Sequence, residues 1–123
     1  MKILLLDDLR NLNQNEFHKF FYALCQKHGY TIVRTYWEFT KYIDENGIPD
    51  VISFDHDISS FDTTIGREMT GLHCVHYLCN YVLDRNKDAL PKDFMFFVHS
   101  ANPAGAKNIE MTLSRFVTFV KEM

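Results

Sequence analysis

Glycine and proline are scarce in this 123-residue sequence, with five and three copies respectively, and that scarcity excludes collagen-like and disordered chains. The three cysteines, Cys25, Cys74 and Cys79, are odd in number and sit in apolar, helix-like contexts. They read as reduced thiols of a cytoplasmic protein rather than as a disulfide framework. No apolar run approaches the roughly 20 residues that a membrane span needs; the longest, Phe94 to Val98, is of strand length. The opening run, Met1 to Leu6, stops at Asp7-Asp8 without a small-residue cleavage site, so a secretory signal is not expected. Basic charge is also lacking: 13 Lys and Arg stand against 16 Asp and Glu, for a net charge of -3. That balance argues against long duplex nucleic acid as a partner, and permits a small anion in a local basic pocket.

Aromatic residues, by contrast, are plentiful. Eleven Phe, six Tyr and one Trp make up 15% of the chain and can fill the core of a single domain spanning residues 1–123. Three apolar runs end abruptly in polar residues: Ile3–Leu6 at Asp7-Asp8, Val51–Phe54 at Asp55-His56-Asp57, and Phe94–Val98 at His99-Ser100. A fourth, Tyr30 to Val33, is short and β-branched. Between and after them lie helical patterns. Phe17, Phe20, Phe21, Leu24 and Cys25 recur at helical spacing before a stop at Gly29, and a weaker pattern runs from Trp37 to Asn46-Gly47. Leu72, Val75, Leu78 and Val82 follow an N-cap at Thr70 with Gly71 in the first turn, and Ile109, Leu113, Phe116, Val117 and Val120 form a C-terminal helix. The order β-α-β-α-β-α-β-α, with continuously apolar strands, predicts a parallel four-stranded sheet ordered 2-1-3-4 with helices on both faces, a flavodoxin-like α/β fold. Residues 58–70 read as a long loop.

In such a sheet ligands bind outside the carboxyl ends of the strands. Every acid or histidine that terminates an apolar run falls on that edge. Asp7, Asp8, Asp55 and Asp57 would repel one another there unless a cation sat among them, and Mg²⁺ or Mn²⁺ suits oxygen ligands. A single Asp at such a place is equally a turn or helix cap. His56 and His99 come from neighbouring strand ends and can act as general acid or base, or as hydrogen-bonded structural histidines. Ser100 and Asn102, which open the last helix, can hold a phosphate oxygen or serve as turn and cap residues. Arg10 can add an anion contact, with Lys107 and Asn108 as further candidates. Trp37, on the same rim, can stack on a nucleobase or pack into the core. His73 and His76 flank Cys74 on a helix, but no second Cys/His pair stands at zinc-ligand spacing, so packing residues are the better reading.

These motifs resemble the receiver domain of bacterial response regulators. Pro49 to Asp55 is similar to the receiver's third strand, with Asp55 at its phosphoacceptor position. Asp7-Asp8 matches the acidic metal pair, Gly71 the glycine of the following helix, and Ser100-Ala101 the Ser/Thr-Ala pair. The receiver's fifth strand with its lysine has no counterpart, and His56 and His99 are not receiver features. The combination of Asp7-Asp8-Leu9-Arg10, Phe54-Asp55-His56-Asp57, Thr70-Gly71 and His99-Ser100-Ala101-Asn102 more closely resembles a receiver-derived family, the cyclic-phosphate-processing receiver domain of bacteria and phages.

The resemblance implies a phosphoesterase acting on a cyclic phosphate of a nucleotide or RNA end. Its metal would be held by Asp8, Asp55 and Asp57 with help from Asp7, and its catalytic residues would be Asp55, His56 and His99. The substrate-binding set would be Arg10, Trp37, Thr70, Gly71, Ser100, Asn102 and Asn108. Two alternatives use the same pocket: a protein that binds and sequesters a nucleotide signal, as a phage would to blunt a host defence, and an atypical phosphoacceptor receiver. No membrane partner is expected.

Overall fold

The computed structural model of the chain describes residues 1–58 and 66–123 in full and residues 60–62 by their backbone. Six strands and four helices are formed among the described residues. In chain order they are β1 (Ile3–Leu6), α1 (Lys19–His28), β2 (Thr31–Val33), α2 (Tyr36–Asn46), β3 (Val51–Phe54), β4 (Ser60–Asp62), β5 (Arg67–Met69), α3 (Gly71–Asp84), β6 (Met95–Val98) and α4 (Pro103–Lys121), with a 3-10 turn at Lys87–Ala89. The main sheet has the order β2-β1-β3-β6, and each pairing is parallel. Counted within this sheet alone, the strands follow the expected order; the last carries a higher number because the hairpin β4-β5 intervenes.

Alternation along each strand divides the core in two. Leu4, Leu6, Ile52 and Phe54 face Phe39 and Ile43 of α2, Val75 and Leu78 of α3, and Ile109 and Leu113 of α4. Ile3, Leu5 and Val51 face the other way, against Phe17, Phe21 and Cys25. Three helices thus cover one face and α1 covers the other. Each fully buried large side chain contributes roughly 1.5–3 kcal/mol, and β1 and β3, buried at every position, supply the most continuous core.

Two sequence expectations are corrected. Part of 58–70 is not loop: β4 and β5 pair antiparallel, Ser60 with Met69 and Asp62 with Arg67. Three-residue strands are too short to show a period-two pattern, while residues 59 and 63–65 of that stretch lie outside the described residues. Phe17 lies before α1 rather than within it, although its ring is buried against Phe21, with 6.3 Å between centroids. Cys25, Cys74 and Cys79 are free thiols, and among the described residues no helix is long and apolar enough to cross a membrane.

Candidate functional site

Parallel pairing carries the ends of β1, β3 and β6 to one edge of the sheet. The chain leaves each strand at Asp7, Asp55 and His99, whose amides donate to Val33, Leu6 and Phe54 in the neighbouring strands. Ligating atoms of these three side chains lie within 4.8 Å of one another. They adjoin a cleft of about 300 Å³ lined by Asp7, Asp8, Leu9 and Arg10 of the first loop together with Asp55, Asp57 and Ala101.

Asp7 is the most constrained member and is only 1% exposed. Its Oδ1 accepts the Leu9 and Arg10 amides at 2.9 and 2.7 Å. Its Oδ2 lies 2.9 Å from Nε2 of His99 and 3.6 Å from the Arg10 guanidinium. Burial pushes the Asp7 carboxyl up, but the His99 hydrogen bond and the two amides outweigh it, so its pKa lies below the ordinary carboxylate value. Asp55 goes the other way. Burial and then the charge of Asp7 raise its pKa, against smaller opposing effects from His99, Arg10 and a hydrogen bond with Ser100.

His99 is held at both ring nitrogens: Nδ1 lies 2.7 Å from Ser53 Oγ, and Nε2 meets Asp7. Its ring packs on Phe17 with centroids 4.5 Å apart, and the side chain is 2% exposed. Ser53 was not among the sequence candidates. The signal for it was present, because a hydroxyl in the middle of an otherwise apolar buried strand requires a partner. Arg34 was also missed: it donates to the carbonyls of Asp7 and Arg10 at 3.3 and 2.7 Å and so braces the first loop.

The rim residues have more open surroundings. Nδ1 of His56 is 2.8 Å from Oδ1 of Asp57, and this contact, opposed by burial and aided by a weaker hydrogen bond from Asn102, holds Asp57 below its usual pKa. The His56 ring rests on Gly105 in the first turn of α4, where a Cβ would overlap it. Arg10 is committed to Glu16 at 2.7 Å and to the His99 carbonyl at 3.2 Å as well as to Asp7. Ser100 Oγ accepts the Asn102 amide at 3.1 Å, and Asn102 Oδ1 caps α4 through the Gly105 amide at 3.0 Å. For Asn102 the cap reading is therefore realised, with its amide group also 3.4 Å from Asp57.

The remaining candidates stand apart from the cleft lining. Thr70 is the N-cap of α3, and its amide donates to Nδ1 of His73 at 2.8 Å, so its surroundings are those of a capping box. Gly71 is required by packing, because a Cβ there would overlap the carbonyl of Asp55, and its own amide donates to the His56 carbonyl at 2.7 Å. Trp37 is 52% exposed at the start of α2, edge-on to Tyr36 with centroids 4.9 Å apart. Asn108 and Lys107 are exposed on α4. All four expected metal ligands, Asp7, Asp8, Asp55 and Asp57, line the cleft, and among the described residues the tightest grouping of ligand-type atoms is that of Asp7, Asp55 and His99.

A family model described as "Cyclic-phosphate processing Receiver domain" matches residues 2–115. No curated protein matches the chain. Among solved structures, the N-terminal domain of a response regulator/sensory box/GGDEF three-domain protein from Carboxydothermus hydrogenoformans is 18% identical, with 98% of this chain and 99% of that one covered, at a TM-score of 0.43. A fusion bearing the yeast Spc42 trimeric coiled-coil segment is also 18% identical, with 97% and 78% covered, at the same TM-score of 0.43.

Proposed function

The chain belongs to the cyclic-phosphate processing receiver domain family, and on that premise we propose that it is a metal-dependent phosphoesterase that opens a cyclic phosphate on a nucleotide or an RNA end. The observation that carries this reading is the convergence of Asp7, Asp55 and His99 within 4.8 Å at the floor of an acid-lined cleft. Two buried carboxylates, the charge of one raising the pKa of the other, are stabilised by positive charge placed between them. The donors suit a hard divalent cation such as Mg²⁺ or Mn²⁺, since carboxylate oxygens converge there while the His99 ring nitrogens are engaged by Ser53 and Asp7. Asp7 and Asp55 would hold the ion, with Asp8 and Asp57 reaching it from the rim. When bound, it neutralises the phosphate and lowers the pKa of an attacking water.

The two histidines then divide the work. With its ring nitrogens occupied by Ser53 and Asp7, His99 positions the Asp7 carboxylate. His56 would be the proton carrier: Asp57 engages its Nδ1, so its other ring nitrogen, Nε2, would exchange the proton with the substrate. It takes a proton from water as the water oxygen bonds to phosphorus. It returns that proton to the ribose oxygen as the ring P–O bond breaks, so the attacked phosphate becomes a monoester: a ring-opened nucleotide or, from a cyclic oligonucleotide, a linear one with a terminal phosphate. Arg10 adds positive charge against the phosphoryl oxygens at the cleft wall, and Trp37 offers an exposed face for a base.

The test is turnover of 2′,3′-cyclic nucleotides, 3′,5′-cyclic nucleotides and cyclic oligonucleotides with Mg²⁺ or Mn²⁺. The expected result is many equivalents of product from the wild type and none from Asp55→Ala. Tight binding with the ligand recovered intact would replace the enzyme by a sequestering protein. Mass gain on Asp55 from a small phosphodonor, without turnover, would replace it by a phosphoacceptor.

A further inference from the structure

The two outer edges of the main sheet differ sharply. The β2 edge is three residues long, begins at exposed Thr31 and is followed by Arg34, so polar groups protect it. The β6 edge carries Met95-Phe96-Phe97-Val98, with no charge, proline or glycine. All four of these residues are half-buried, whereas β1 and β3 are buried throughout. A groove of about 330 Å³ runs along this edge, bounded by Phe96, Phe97 and Val98, by Glu110 and Ser114 of α4, and by His18. Phe20, 50% exposed, flanks Phe97 at 6.3 Å and continues the apolar surface onto α1.

The backbone fixes what can pair there. The amides of Met95 and His99 donate inward, to Asp50 and Phe54. Because backbone groups alternate in direction along a strand, those of Phe97 also face β3, and those of Phe96 and Val98 face the open edge. We propose that this edge pairs with the β6 edge of a second copy of the chain, antiparallel about a two-fold axis at Phe97. In that register Phe96 lies opposite Val98 of the copy and Val98 opposite its Phe96, which satisfies all the outward amides and carbonyls of the two strands. Phe97 meets its own equivalent in the close, non-hydrogen-bonded position that suits aromatic pairs. The pairing is self-complementary, as a closed dimer requires, and brings no like charges together in the ladder because the strand has none. It extends the sheet from four strands to eight. Since the strands run in opposite directions, the two acid clefts open at opposite ends and neither is covered.

Two measurements on the whole chain decide the matter. Sedimentation velocity from low to high micromolar concentration is expected to show a shift from one to two copies. Over the same range the Phe96 and Val98 amides should become slower to exchange by about tenfold or more. Val98→Pro removes one outward amide, a position where an edge strand tolerates proline, and is expected to abolish the dimer while the helical circular dichroism stays unchanged. A monomer at every concentration overturns the proposal, whether those amides exchange fast or are protected within one chain. A dimer whose Phe96 and Val98 amides still exchange fast also overturns it, because the contact then lies elsewhere. Should Val98→Pro not fold, the concentration dependence of exchange in the wild type is sufficient by itself: slowing at those two amides supports the pairing, and its absence overturns it.

Discussion

The two ends of the main sheet make opposite uses of charge. At the carboxyl end a cleft of about 300 Å³ has buried acids at its floor. At the amino end a larger cavity, about 460 Å³, lies between Leu90, Phe94, Val117 and Val120, with Lys87, Lys92 and Lys121 around its mouth. The lysines are exposed on flexible stems and can turn toward water. Asp7 and Asp55 cannot, because each is fixed one residue beyond a strand by backbone hydrogen bonds. Cavity size and buried, convergent charge therefore part company in this molecule. The two acids also differ from each other. Asp7 is supplied with donors and ionises readily, whereas Asp55 is buried beside a negative charge and resists ionisation.

The strongest way to break this comparison is Asp55→Asn. Turnover should fall on the order of 10³-fold, and the ion-dependent rise in melting temperature should vanish. An acid whose folded pKa is raised binds more protons folded than unfolded, so its contribution to stability falls as pH rises from the ordinary 3.8 through the folded value. Asp55→Asn removes that penalty, and urea unfolding at neutral pH without metal should find the variant more stable than the wild type. A less stable variant would mean that Asp55 is not under strain.

Gly71→Ala comes next. The new methyl would overlap the Asp55 carbonyl, a backbone atom at the end of β3, so α3 must shift. A loss of about 3 kcal/mol is expected in urea unfolding. Leu90→Ala, at the opposite end, should cost about 2 kcal/mol in the same experiment and leave kcat unaltered; a fall in kcat would link the two ends. At Gly105→Ala the atoms nearest the new methyl are those of the His56 ring, a side chain rather than backbone. It should displace that side chain, lower kcat by about tenfold and change stability little. The smallest effect belongs to His73, whose pKa is lowered first by burial and then by Arg67, His76 and His56. A histidine with a depressed folded pKa contributes stability that is complete above 6.5 and lost as pH falls through the folded value. His73→Gln should flatten that acid limb, as measured by urea midpoints from about pH 7.5 down to about 5.

Much of the site was legible because its residues stand where a pattern breaks. The transitions Leu6 to Asp7, Phe54 to Asp55 and Val98 to His99 each end an apolar strand, and the rule for parallel sheets places all three on one edge. Thr70 and Gly71 were legible as a helix start, and they act as one. Other roles were not. Ser53 and Asp7 grip His99 from two different strands, 46 and 92 residues away in sequence, so no local pattern joins them. The β4-β5 pair rests on two strands of three residues each, too short to leave a pattern in the sequence. The expected ligands were Asp8, Asp55 and Asp57 with Asp7; that His99 would join Asp7 and Asp55 in the tightest grouping was not legible, because sequence shows which residues follow a strand but not which side chain turns inward.

The sequence by itself determined the strands of the main sheet, the helices and the edge at which the polar residues would gather, since apolar runs, helical spacing and capping are local properties of the chain. Only the tertiary structure decided which carboxyl at that edge is eased and which is pushed up. Whether a carboxylate is eased by donors, as Asp7 is, or pushed up by burial and then a neighbouring charge, as Asp55 is, depends on packing and distances across strands. Those distances exist only once β1, β3 and β6 lie side by side.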